Sequence, residues 1–226
     1  LRAALYSVSR QDLSAVDAVV VFDNNTEDEP LDIQRVIDQQ DFPVTVKLVS
    51  SKHGDASKTH AWSTNAAVAQ ARGEWVLFTR ADYLLDFGLL RTFMDVVETK
   101  PRGWDGFVTG NGYHLSADIG ICETTKWREG GALLLGQLPG AVIDYAKIDT
   151  GVWLTRRSAV QHVGGLNEKL TAWGHAQTDF QYRLHKAGLE FECVPRLLFF
   201  HPQHAGERDI HLAHAQLKDN GIDIKK

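Results

Sequence analysis

Three short apolar runs, spaced by helix-compatible stretches, constrain this chain more than any other feature. "DAVVVFD" (17–23), "VTVKLVS" (44–50) and "EWVLFT" (74–79) are rich in β-branched residues and bounded by polar turns. Runs without a solvent-facing alternation read as strands buried on both faces. Between them, residues 57–72 are alanine-rich and stop before Gly73, a residue suited to a helix C-terminus. Residues 86–98 place Leu90, Phe93, Met94 and Val97 on one stripe at i, i+3, i+4 and i+7. Strand and helix alternating in this way predict parallel pairing through right-handed crossovers. The expected class is therefore α/β, with a mostly parallel mixed central sheet flanked by helices.

After Pro101 the rhythm loosens. "GFVTGNGYHL" (106–115) and "DTGVWLTRRSAV" (149–160) read as further strands, whereas Ile119 to Gly140 is too glycine-rich for a regular element. A helix is expected from Gln177 to Ala187, ended by Gly188. "LEFECVPRLLFFH" (189–201) then reads as a last strand pair broken at Pro195, and a polar helix over about 207–220 closes the chain.

A length of 226 residues at 43% hydrophobic composition supplies one substantial core, so one domain over 1–226 is expected. The 24 basic and 29 acidic residues are interspersed, which argues against a nucleic-acid face. Cys122 and Cys193 lack Cys-x-x-Cys spacing, so a reducing compartment and structural thiols are favoured. No apolar run reaches the roughly 20 residues that span a bilayer, and no signal peptide is visible. The chain opens at Leu1 as if inside a helix, so a strand or anchor upstream is expected.

Open parallel sheets bind ligands beyond the carboxyl ends of their strands. Polar clusters occupy three such ends here: "FDNNTED", "SSKHGDASK" and "TRADY". Asp23, Asn24 and Asn25 can hydrogen-bond a base or ribose, Lys58 can meet a phosphate, and Asp82 can hold a divalent cation. Each also has an ordinary reading, as turn chemistry, a solvated helix residue or a helix cap.

The order of these motifs resembles family 2 glycosyltransferases of the GT-A, Rossmann-like fold. "VVVFDNNTED" is similar to that family's Val-Asp-Asn-Gly-Ser-Thr-Asp turn, with Asp23 at the base-binding position. "SKTHAWSTNAAVAQARGEWVLFTRADY" resembles the stretch with Asn65, placed by the resemblance at the donor, then Ala71 and Gly73, that leads to the metal motif. "GVWLTRRSAVQHVGGLNEKL" is similar to the Gly-Gly-Phe-Asp-Glu segment, with Gly164 to Glu168 in register. "DFQYRLHKAGLEFECVPRLLFFH" resembles the following Asp-x-x-x-Arg helix, strand and closing His. By the same resemblance, the family's first strand is expected to be missing from this chain.

The resemblance implies a transferase that moves a sugar, with inversion, from a nucleotide-diphosphate donor to an acceptor hydroxyl. Residues 1–100 would form the nucleotide-sugar-binding half and 101–226 the acceptor and catalytic half. It implies a glycan or lipid-linked acceptor and a part in bacterial polysaccharide or glycoconjugate synthesis. The enzyme would be cytoplasmic, held near the inner face of the membrane by regions or partners outside this chain. It also implies Mn²⁺ or Mg²⁺ held by Asp82 and His201.

Two departures touch the chemistry. Where the family has Asp-x-Asp, this chain has Arg80-Ala81-Asp82, so one carboxylate is replaced by a guanidinium that can itself neutralise a diphosphate. Where the family has Glu-Asp before the Arg helix, this chain has Ala176-Gln177, and Gln177 cannot take a proton. Asp179 and His175 are the candidate bases. The competing reading is a non-catalytic GT-A domain that binds nucleotide or glycan. A nucleotidyltransferase is disfavoured, since no Walker-type loop is present.

Trp62, Trp75 and Trp153 sit in apolar contexts and are expected in the core. Trp173, with Gly174 beside it, is a candidate acceptor platform because sugars pack on indole. Trp127 lies in a candidate lid. His211 and His214 have no zinc-type partners in sequence and read as surface residues.

Overall fold

The computed structural model describes residues 1–23, 33–50, 60–115, 142–146, 151–170 and 175–202. At residues 23, 50, 111–115, 142–146, 175 and 195–202 the description extends to the backbone alone. In chain order the elements are α1 (Arg2–Ser9), β1 (Ala18–Asp23), α2 (Ile33–Asp38), β2 (Thr45–Ser50), α3 (His60–Gln70), β3 (Trp75–Phe78) and β4 (Leu84–Leu85). There follow α4 (Leu89–Glu98), β5 (Gly106–Leu115), β6 (Val142–Ala146), β7 (Trp153–Arg156), α5 (Arg157–His162), α6 (His175–Lys186) and β8 (Glu190–Pro202).

The expected strands in the first hundred residues form within a residue or so of their sequence limits. Strands β1 and β2 pair in parallel, Ala18 opposite Thr45 through Asp23 opposite Ser50. The larger sheet runs β3-β7-β5-β8-β4, with β6 attached to β5. Among its described strands only β5 and β8 are parallel; β3 with β7, β5 with β7, β4 with β8 and β5 with β6 are antiparallel. The sheets are mixed, but the expectation of a mostly parallel one is corrected. The strand-helix rhythm fixes direction only while it lasts, and β7 inserts antiparallel between β3 and β5. Apolar content and branching carry no sign of direction.

Two further expectations change. Residues 149–160 do not make one strand: β7 stops at Arg156 and α5 starts at once. Nor does Pro195 break the last strand. Cys193 pairs with Thr109 and Leu198 with Asn111, so Val194, Pro195, Arg196 and Leu197 stand opposite Gly110 alone. A bulge of that kind accommodates a residue with no N–H to donate.

The core lies on both faces of the sheet because successive side chains alternate. Val76, Phe107 and Trp153 face one side, with Ala159 and Val160 of α5 and with Phe180 and Leu184 of α6. Trp75, Leu77, Val108 and Leu154 face the other, with Leu89, Phe93 and Val96 of α4. A smaller cluster joins Leu5, Val21, Ile33, Val36 and Ile37. Helix α4 starts three residues later than its apolar stripe suggests, because Gly88 at its N-cap adopts a left-handed conformation with φ 72°.

Helix α1 is stitched to the α4 side by polar side chains. Ser7 Oγ accepts from the Leu85 amide, and Gln11 donates to the Asp86 carbonyl while accepting from the Leu90 amide. The Cys193 thiol has its pKa raised by burial and remains protonated. The helix expected over 207–220, the glycine-rich stretch 119–140, Cys122 and Trp127 lie outside the described residues.

Candidate donor site at the end of β3

Topology sends several sequence-selected residues to one end of the larger sheet. Helix α3 leads into the start of β3 and α6 into the start of β8, and β3, β5 and β8 run in the same direction. Both helices therefore begin at the sheet end where β3 finishes. His60, His175 and the Thr79 to Tyr83 turn share that end.

In the turn after β3, Arg80 grips Asp82 side-on. Its Nε donates to Oδ1 at 2.9 Å and its Nη2 to Oδ2 at 2.5 Å. The side chains are 17% and 28% exposed, so the pair is lodged in the surface rather than extended into solvent. The Arg80 guanidinium also lies over the Tyr83 ring, 5.2 Å from its centroid, and Tyr83 is buried. Tyr83 in turn rests on bare backbone at Gly151, where an added Cβ would stand 2.3 Å from the ring. Gly151, Tyr83, Arg80 and Asp82 form a stack that fixes one guanidinium at the strand end.

His60 opens α3 beside this stack. Its pKa is lowered, first by the protein around it and next by the charge of Arg80, with Asp82 acting the other way. Part of its surface still meets solvent. The imidazole is thus neutral at neutral pH, and Arg80 is the cation in its contact with Asp82. Two residues further, Trp62 meets Phe22 edge-on with ring centroids 5.2 Å apart. Phe22 immediately precedes Asp23, the last residue of β1. The start of α3 therefore links the ends of β1 and β3.

Asn65, expected at the donor, is engaged in holding a turn. Its Nδ2 donates to the Leu166 carbonyl and to Glu168 Oε1, and its Oδ1 accepts from the Leu166 amide. Arg183 grips the same turn from α6, donating to the Val163 and Gly165 carbonyls at 2.6 and 2.7 Å. Asp179 is only 4% exposed, and its Oδ2 accepts from Arg183 Nε at 2.8 Å. The Gly164-Gly165 pair, with φ 79° and 71°, supplies the left-handed backbone on which this clamp closes. Gln177 is buried.

His175 is the first residue of α6, one helical turn before Asp179. His201 lies on β8 opposite His114. Asn25, Lys58, Trp173 and Gly174 lie outside the described residues, as does the side chain of Asp23. Sequence reading missed His60, Tyr83 and Gly151. Only Tyr83 had a signal, its place beside Asp82; the others acquire meaning through contacts made far along the chain.

This is a mixed α/β fold with its candidate site at a strand end, matching the GT-A class. The family model described as Glycosyl transferase family 2 matches residues 1–120, and one described as the N-terminal domain of galactosyltransferase matches residues 137–205. The chain belongs to glycosyl transferase family 2. Among solved structures, mannosyltransferase PcManGT from Pyrobaculum calidifontis, in complex with GDP-Man and Mn²⁺, is 18% identical with TM-score 0.59, over 92% of this chain and 54% of that one. S. aureus TarS 1-349 in complex with UDP-GlcNAc is 13% identical with TM-score 0.60, over 91% and 55%. GalNAc-T7 with UDP, GalNAc and Mn²⁺ is 10% identical with TM-score 0.64, over 94% and 44%. This chain thus spans about half the length of the structures it matches. A comparison with curated proteins gave no match. Among the described residues, no helix is long and apolar enough to cross a membrane.

Proposed function

We propose that the chain is the GT-A domain of an inverting glycosyltransferase, one that takes a sugar from a nucleoside-diphosphate donor and passes it to an acceptor hydroxyl. The observation that carries this reading is the guanidinium fixed at the end of β3, within electrostatic reach of the start of α3. A diphosphate leaving group gains negative charge in the transition state, and a pre-set cation stabilises that charge without reorganising. The likeness to solved transferases that hold UDP-GlcNAc or GDP-Man supports the same assignment. Asp23 at the end of β1 is assigned to the nucleoside, and residues 101–226 to the acceptor side.

For the proton, His175 is the assigned base. Asp179 is buried and engaged with Arg183, so taking a proton there would loosen the clamp on the Val163 to Gly165 turn. His175 is the first residue of α6, and an imidazole can accept a proton near neutral pH. The acceptor is assigned to a glycan or lipid-linked sugar in bacterial polysaccharide or glycoconjugate synthesis, at the cytoplasmic face of a membrane.

Mn²⁺ accompanies GDP-Man in one of the similar structures and UDP with GalNAc in another. The donor set described here does not fit a divalent cation well. Both Asp82 oxygens bind Arg80, and among the described residues no group of three or more His, Cys, Asp or Glu side chains forms a metal cluster. The charge of the leaving diphosphate is therefore assigned to Arg80.

The test is binding and hydrolysis of UDP-, GDP- and dTDP-sugars by the purified protein. Failure to bind or turn over any of them overturns the reading. A non-catalytic binding domain is favoured by one observation, buried Gln177 at the position where a base is expected. Nucleotide binding with no hydrolysis in any variant or with any acceptor glycan would select it.

A further inference from the structure

We infer that Arg80, rather than a divalent cation, meets the charge of the donor's diphosphate, so that nucleotide binding by this domain is independent of metal. The inference rests on the donor-site assignment above and deepens it.

A carboxylate can ligate Mn²⁺ only with oxygens that are available to it. Here Oδ1 and Oδ2 of Asp82 each accept from Arg80, a charge-assisted bidentate geometry. Binding a cation would require that pair to separate and would bring a divalent charge beside a guanidinium. The usual first carboxylate of the motif is not there to help, because Arg80 occupies its position.

The guanidinium is held on more than one side. Asp82 fixes its Nε and Nη2, while Tyr83 lies under its plane, 5.2 Å from Cζ to the ring centroid. Tyr83 cannot retreat, because it is buried against the Gly151 backbone. An arginine on a flexible surface loop would lose much of its binding energy to ordering. One clamped in this way is ordered before the ligand arrives. Arginine also presents planar N–H groups that match phosphate oxygens, which a point-charge cation does not.

The two electrostatic designs make opposite demands on Asp82. If Asp82 is a metal ligand, removing its charge removes the metal and with it the nucleotide. If Arg80 is the phosphate ligand, Asp82 serves to orient it, and its own negative charge opposes the diphosphate. Asp82→Asn keeps an oxygen that can accept from Arg80 while deleting that repulsion.

The experiment is calorimetric titration of the purified chain with UDP and with GDP, in EDTA and again in excess MnCl₂. Wild type is expected to bind one of the two with Kd values within about threefold in the two buffers. Arg80→Ala is expected to weaken binding about tenfold or more, and Arg80→Lys by a smaller factor, since charge persists without the planar fork. Asp82→Asn is expected to retain or tighten binding. Far-UV circular dichroism and a thermal melt of each variant separate loss of binding from loss of fold. Binding in MnCl₂ that vanishes in EDTA, or that vanishes in folded Asp82→Asn, overturns the inference while leaving the donor assignment intact. No binding of UDP or GDP in either buffer overturns the inference, and the same result with dTDP overturns the donor assignment as well.

Discussion

Asn65 and Gly165 meet so closely that only glycine fits: a Cβ at Gly165 would stand 2.5 Å from the Asn65 Oδ1 that binds the Leu166 amide. Gly165 also has φ +71°, where L side chains are strained. Gly165→Ala is therefore expected to cost about 2 kcal/mol or more of stability, read from urea unfolding midpoints. Gly164→Ala shares the left-handed backbone but has nothing within 4 Å of its added Cβ. It is expected to cost about 1 kcal/mol less, and equal losses would show that packing against Asn65 contributes nothing.

That contact shows where sequence reading succeeds and where it stops. The Gly164-Gly165 pair was legible as a turn of family type, and Asn65 as a residue with a purpose. Their joint purpose was not, because one is on α3 and the other follows α5, and the Leu166 amide that Asn65 binds lies 101 positions along the chain. The strands of the first half were legible because apolar runs and glycine stops are local. Strand direction in the second half was not, since β7 has the same composition whichever way it runs. The Pro195 bulge and the immediate passage from β7 to α5 likewise depend on what lies opposite, Gly110 in one case. At the site, Arg80 and Asp82 were visible side by side, whereas Gly151 and His60 reach them only through the fold.

Gly151 gives the second expectation. An alanine there would press on the Tyr83 ring from 2.3 Å, and Tyr83 carries Arg80. Gly151→Ala is expected to displace that platform and weaken UDP or GDP binding several-fold. Tyr83→Phe keeps the ring and is expected to bind within about twofold of wild type. Calorimetric Kd values compare them; equal affinity in Gly151→Ala would show that the stack does not position the guanidinium.

Asp86 gives a pH-dependent expectation. Its Oδ1 is buried without a hydrogen-bond partner, and burial raises its pKa, opposed by a hydrogen bond from the Phe87 amide. The folded state therefore holds the proton to higher pH than the unfolded state does. Between the two pKa values the native protein binds more protons, so stability falls as pH rises through that window and stays lower above it. Asp86→Asn removes the charge at similar volume and is expected to melt at a higher temperature than wild type at pH 7. Thermal melts across pH should show the gain disappearing below the ordinary carboxylate range. A gain that persists there would assign it to something other than ionisation.

The last expectation separates the two candidate bases by pairing an activity with a stability measurement. Asp179 is buried and holds Arg183, which itself donates to the Val163 and Gly165 carbonyls. Asparagine there keeps an oxygen that can accept from Arg183 but removes the charge that balances a half-buried guanidinium, a loss of about 2 kcal/mol. Asp179→Asn should therefore unfold at clearly lower urea than wild type. Whatever activity it loses should be shared by Arg183→Met, which breaks the same clamp without touching a carboxylate. His175→Ala, at the first position of α6, is expected to melt within about 0.5 kcal/mol of wild type while kcat for sugar transfer falls roughly a hundredfold. Transfer from the donor that binds, measured with all three variants, decides the matter. If His175→Ala keeps wild-type kcat and Asp179→Asn loses far more activity than Arg183→Met, the base is Asp179 and the assignment to His175 is wrong.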